Sequence, residues 1–172
     1  MKFDVKRAII GRLRETNREN VEAVIEYMLK HGFFTRHCHS HHHYDGGLAD
    51  HAWQTYQIAL RLNAENHTKN PNLPALDEDS IAIATILHDF CNCKGLYDIS
   101  GHGRRSARML KHLGFMLPSQ EYLAVRFHMS LNNKTYHHRY NDALHSKLRE
   151  LVHRADCISA RLKKGCVEHR RR

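Results

Sequence analysis

Apolar residues recur at helical spacing along nearly the whole chain, and no stretch alternates apolar and polar residues for long enough to form a half-buried strand. That pattern predicts an all-α fold. Helices are expected over 3–15, 18–31, 48–65, 78–92, 102–113, 119–129 and 140–164. Ala82, Ile83, Ile86 and Leu87 form an apolar face in the fourth, which Asp77 or Asp79 would open as an N-cap. Asn70, Pro71, Asn72 and Pro74 interrupt the chain before it, and Gly46-Gly47 do so before the third. The longest weakly structured piece, residues 32–47, is rich in histidine. With 172 residues, 41% of them hydrophobic and 8% aromatic, the chain buries an ordinary core, which excludes disorder and a disulfide-stapled miniprotein. A single domain is expected over 1–165, followed by a basic tail over 166–172.

The charge is unevenly placed. The formal net charge is +9, but residues 161–172 alone carry six Lys/Arg against one Glu, which leaves about +4 for the body. A modestly positive body suits an anionic ligand without demanding nucleic acid. The tail reads as a solvated end, with nonspecific, salt-sensitive nucleic-acid contact as the alternative. No apolar run approaches the roughly 20 residues of a membrane span, and the start MKFDVKRAII has too short an apolar stretch for a signal peptide. Five cysteines (Cys38, Cys91, Cys93, Cys157, Cys166), odd in number and irregularly spaced, argue for reduced thiols and a cytoplasmic location.

Two kinds of metal-ligating side chain fall at separated points on the expected helices. They are His51 in GGLADHAW, His88-Asp89 in ATILHDFC, His102 in GHGRRS, His128 in AVRFHM and Asp156 in VHRADCISA. Neutral imidazole and carboxylate together suit a divalent ion such as Mn, Fe, Co, Ni or Zn, and helices meeting in a bundle can assemble such a site. A lone helical histidine is more often a hydrogen-bonded core residue than a ligand. Asp89 carries more weight, because an unpaired carboxylate at the end of an apolar helix is costly and a cation removes the cost. Asp156 has apolar neighbours Leu151, Val152 and Ile158, which place it on an inward face.

These strings resemble the HD-domain metal-dependent phosphohydrolases, named for their His-Asp pair, from about His41 to Ala160. The blocks HHHYDGGLADH, LHDFCNCK, GHGRRS, AVRFHM and HRADCISA look like a bacterial or phage-borne subgroup. The resemblance implies a helical bundle of about six to eight helices, with His51, His88, Asp89 and Asp156 as the four core ligands. Members with two metal ions add histidines where His102 and His128 stand, with Asp89 bridging; a histidine at the GH string alternatively touches the substrate phosphate. His42 and His43 fit the family's pocket rim, while His37 and His39 read as an exposed loop.

One departure stands out. Related sequences read His-Asp-x-x-Lys, the lysine reaching the phosphate, whereas this chain has Asn92 there and Lys94 two residues later. Either Lys94 substitutes for it, or Arg104, Arg105 or Arg126 holds the phosphate. Cys91 and Cys93 lack the second cysteine pair of a structural zinc site and read as ordinary thiols. The resemblance implies one or two divalent ions, Mg among the options, and hydrolysis of a phosphate mono- or diester of a nucleotide or short nucleic acid. Asp89 would orient the nucleophile. The alternatives are a diiron oxygenase on the same fold and a catalytically silent module that binds metal and nucleotide.

Overall fold

The computed structural model describes residues 3–38, 41–72, 74–95, 101–129 and 146–162. Among them are seven α-helices and one 3-10 turn, and no strand. The helices are α1 (Val5–Glu15), α2 (Val21–Lys30), α3 (Gly47–Lys69), α4 (Glu78–Ile86), α5 (His102–His112), α6 (Ser119–Phe127) and α7 (Lys147–Ser159). The all-α expectation holds. The basic tail, residues 140–145 and 163–164 of the last expected helix, and His39 lie outside the described residues.

The most apolar helix is the central one. Every residue of α4 from Ile81 to Ile86 is buried, as a helix with no polar face must be. It packs against α1, α3, α6 and α7, and α7 in turn lies along α3 and α6. Asp77 is its N-cap, accepting from Ser80 N–H at 2.8 Å. Asp79 instead pairs with Arg12 Nη2 at 2.6 Å, while Arg12 Nε donates to the Tyr56 hydroxyl at 2.7 Å, so one guanidinium ties α1 to both α3 and α4.

The third helix starts where the glycine pair places it. Gly46 adopts a left-handed φ of +82° as N-cap, and a Cβ on Gly47 would overlap the His42 carbonyl oxygen. The helix then runs to Lys69, past the expected end at residue 65, because the first chain-breaking sequence is Asn70-Pro71. Asn63 fastens the following loop by donating to Leu76 O and accepting from Leu76 N–H, each at 3.0 Å.

The structure departs from the periodicity most at the fourth helix, expected to reach residue 92. It ends at Ile86, and the chain passes through His88 and Asp89 into a 3-10 turn over Phe90–Lys94. The cause is local. His88 Nδ1 lies 2.7 Å from Thr85 O, the carbonyl that would accept Asp89 N–H if the helix continued. The sixth helix, expected to reach 129, ends the same way: His128 Nδ1 lies 2.8 Å from Val125 O. Two histidines thus terminate their own helices, each through an i−3 contact.

Candidate metal centre

Five of the helices bring the six candidate residues into one cluster. His51 lies on α3 and Asp156 on α7, His88 and Asp89 follow α4, His102 opens α5, and His128 closes α6. His51 Nε2 is 3.1 Å from Asp156 Oδ1 and 3.2 Å from His88 Nε2. His88 Nε2 is 3.7 Å from Asp89 Oδ2 and 3.8 Å from Asp156 Oδ1. On the other side of Asp89, His102 Nε2 is 3.4 Å from Oδ1 and 2.8 Å from His128 Nε2. The two oxygens of Asp89 therefore face different histidines.

The helix-ending contacts settle which ring nitrogens carry lone pairs. A carbonyl only accepts, so His88 and His128 must present Nδ1–H to Thr85 and Val125, which leaves their Nε2 atoms bare in the neutral rings. Both bare atoms point into a space already holding two carboxylates. Asp89 Oδ1 is buried and accepts no hydrogen bond. A cluster of acceptors without enough protons is satisfied by a cation, and donor groups of three, His51–His88–Asp89, His88–His128–Asp156 and Asp89–His102–His128, each lie within 4.8 Å of one another. These clusters are able to coordinate a divalent metal ion.

The electrostatics agree. Burial by itself raises the Asp156 carboxyl, but the hydrogen bond from His51 and the fields of His88, His51 and His128 outweigh it and hold the group well below the usual carboxylate range. Asp89 is lowered too: burial opposes ionisation, and His88, His102, His128 and His51 overcome it. His128 is pushed down to about 3, first by burial and then by His88 and His102. The carboxylates are thus ionised and this imidazole neutral at working pH, the protonation states in which such groups bind metal.

Around the cluster lies a set of buried supports. His51 Nδ1 is 3.0 Å from Ser159 Oγ, which is 3.3 Å from Gln54 Oε1, and Gln54 Oε1 is 3.0 Å from His42 Nε2. His42 is therefore not at a rim: it is buried against α3, with a left-handed φ of +49°. His43 is exposed, its ring 6.3 Å from that of His37. Lys94 is exposed and sits over the Tyr27 ring at 5.7 Å, and Arg104 is exposed on α5. Arg126 is half-buried, donates to the Tyr122 hydroxyl and covers the Phe127 ring at 5.0 Å. Arg105 is half-buried on α5. Cys91 and Cys93 are buried thiols, and burial pushes Cys93 up to about 12.

Sequence reasoning passed over Gln54, Ser159 and His41. The first two carried a signal, since Gln54 follows His51 by three positions and Ser159 follows Asp156 by three, which puts each on the same helix face as a ligand candidate. Among the described residues His41 joins His42 and His51 in a further close group, its ring 4.3 Å from that of His51.

The profile of the HD-domain family matches residues 48–161. The chain belongs to the HD-domain family. No curated protein and no solved structure matches it. The bundle is the fold of the HD-domain metal-dependent phosphohydrolases, and the His-Asp pair of the family's name lies in the cluster of metal-capable residues. No helix among the described residues is long and apolar enough to cross a membrane.

Proposed function

We propose that the protein hydrolyses a phosphate mono- or diester, of a nucleotide or a short nucleic acid, at a centre of two divalent ions. In this reading His51, His88, Asp89 and Asp156 hold one ion, and Asp89, His102 and His128 hold the other. The observation that carries it is the placement of Asp89, with Oδ2 3.7 Å from His88 Nε2 and Oδ1 3.4 Å from His102 Nε2. A carboxylate so placed would serve as a ligand to both ions. Mn, Fe, Co, Ni and Zn suit this mixed nitrogen and oxygen set better than Mg, which favours oxygen ligands.

A divalent ion, when bound, supplies Lewis-acid polarisation of a phosphoryl oxygen and a water acid enough to ionise near neutral pH. The chain's own residues do the rest. The bare Nε2 atoms of His88 and His128 are locked in direction by backbone carbonyls, so the site is organised before ligand arrives. Burial of His51, His88 and His128 keeps bulk water from competing. His43, Lys94, Arg104 and Arg126 are the proposed phosphate contacts; Lys94 sits two positions beyond the family's lysine, in the 3-10 turn that follows Asp89. The described helices share one hydrophobic core, which supports a single domain over 1–165. Among the described residues four unpaired thiols, three of them buried, suit a cytoplasmic protein.

Metal analysis of protein loaded separately with Mn and Zn should give two ions per chain, and the loaded protein should turn over p-nitrophenyl phosphate or bis-p-nitrophenyl phosphate. Asp89→Asn should lower the stoichiometry below two and cut kcat by at least about 100-fold. Full activity in Asp89→Asn would overturn the reading.

A further inference from the structure

We propose that His41 orients the attacking water, and that a hydrogen-bonded network anchored on Gln54, which also joins it to Ser159 and His51, holds the Nε2 of His41 bare for that purpose. The proposal rests on the hydrolytic reading above.

The relay is continuous from His51 on α3, through Ser159 on α7 and Gln54 on α3, to His42 and His41 in the loop that precedes α3. Its separations are 3.0 Å (His51 Nδ1 to Ser159 Oγ), 3.3 Å (Ser159 Oγ to Gln54 Oε1), 3.0 Å (Gln54 Oε1 to His42 Nε2) and 3.0 Å (His42 Nδ1 to His41 Nδ1). His51, Ser159, Gln54 and His42 are all buried. No water is needed to close any gap.

The direction of each bond follows from the His51 end and from the Gln54 oxygen. With Nε2 of His51 given to a cation, its Nδ1 carries the proton and donates to Ser159 Oγ. The hydroxyl then donates to Gln54 Oε1 at 3.3 Å, with His51 O a second acceptor at 3.4 Å. An amide oxygen only accepts, so His42 donates to it from Nε2–H and has a bare Nδ1. That bare nitrogen accepts Nδ1–H of His41, which leaves His41 Nε2 bare. The end of the relay is thus an acceptor fixed by Gln54 Oε1, the oxygen on which Ser159 and His42 converge.

Placement suits the task. The His41 ring lies 4.3 Å from that of His51, and one of its two nitrogens falls within 4.8 Å of a ring nitrogen of His42 and of His51. It is half-buried, as His102 is, whereas His51, His88, Asp89, His128 and Asp156 are buried. The backbone is built to hold it there: His42 takes a left-handed φ of +49°, and its carbonyl oxygen occupies the space that any side chain on Gly47 would need. Thr35 O and Arg36 O fasten the two ends of the glycine turn, accepting from Gly46 N–H at 3.0 Å and Leu48 N–H at 2.9 Å.

In the reaction, a water O–H donates to His41 Nε2, which aims the oxygen lone pair at phosphorus. The oxygen–phosphorus bond forms, and the ester P–O bond breaks with its electron pair leaving on the alcohol oxygen. The proton released by the water ends on that oxygen. His41 is the catalytic residue of this step, while His42, Gln54 and Ser159 are positioning residues.

The test has two arms. In Zn-loaded protein with 15N-labelled histidine, two-bond nitrogen–proton correlations should show His41 protonated at Nδ1 and bare at Nε2. Gln54→Glu, which keeps an acceptor, should hold that tautomer, and Gln54→Leu should release it. In the kinetic arm, His41→Ala should lower kcat on p-nitrophenyl phosphate by about 10- to 100-fold with metal content and KM unchanged, and His41→Gln should recover part of the loss. A His41 protonated at Nε2, or an undiminished kcat in His41→Ala, overturns the proposal; so does loss of a metal ion in His41→Ala, which would make it a ligand. If the wild-type protein turned over no phosphate ester, the hydrolytic reading would fail, while the tautomer would still decide whether the relay exists.

Discussion

At the scale of single residues, the centre is governed by which atom of each side chain is already engaged. His88 and His128 are directed by carbonyls of their own helices, so mutation elsewhere cannot easily turn them. The Nδ1 side of His51 is directed by Ser159 Oγ at 3.0 Å. Ser159→Ala removes that partner without touching a ligand candidate. Outer partners of ligating histidines are worth about 10- to 100-fold in metal affinity. Calorimetric titration of Ser159→Ala with Zn should show a loss of that size; an unchanged Kd would mean that packing alone holds the ring.

At the scale of elements, a buried ion pair ties together parts distant in sequence. Glu121 on α6 is buried; its Oε1 accepts from the Arg18 guanidinium, and from the Ser80 hydroxyl at 2.8 Å, joining α6 to the α1–α2 turn and to α4. Burial raises the Glu121 carboxyl despite these partners. Removing Arg18 leaves a buried carboxylate short of its charge partner, and breaking such pairs costs about 3 kcal/mol or somewhat more. Arg18→Ala should therefore lower stability in urea unfolding at pH 7. A raised carboxyl binds its proton more readily folded than unfolded, so the deficit should narrow as pH falls towards 5. A deficit independent of pH would assign the effect to packing.

For the whole molecule, the charges gathered in the centre set its response to pH and to metal. His128, held at about 3 against roughly 6.5 when unfolded, excludes a proton that the unfolded chain takes up. Metal-free protein should therefore lose stability as pH falls from about 6.5 towards 3. The lowered carboxyls of Asp89 and Asp156 act with the same sign, since their contribution is present above the unfolded value near 3.9 and is lost below it. Metal at 100 times its Kd should add about 2.7 kcal/mol at pH 7, raising Tm, and chelator should reverse the gain. A Tm indifferent to both metal and acidification would show that the cluster contributes no linked binding.

Much of this was legible in the one-dimensional pattern. Helical periodicity settled the all-α class, and Asp77, Gly46 and the Asn70-Pro71 break marked the ends of elements, because caps and breakers act within a few residues of chain. The order of His51, His88-Asp89, His102, His128 and Asp156 was readable as a family resemblance, and the cluster they form was not, since its members are up to 105 positions apart in sequence. Periodicity also could not show that α4 stops at Ile86 and α6 at Phe127. Those ends come from an imidazole competing for a backbone carbonyl, which leaves the apolar spacing undisturbed. His42 moved from an expected rim to a buried relay, and His41 emerged beside His51. A run of histidines in a loop has no period to say which ones turn inward, and that was decided by packing against Gly47 and Gln54.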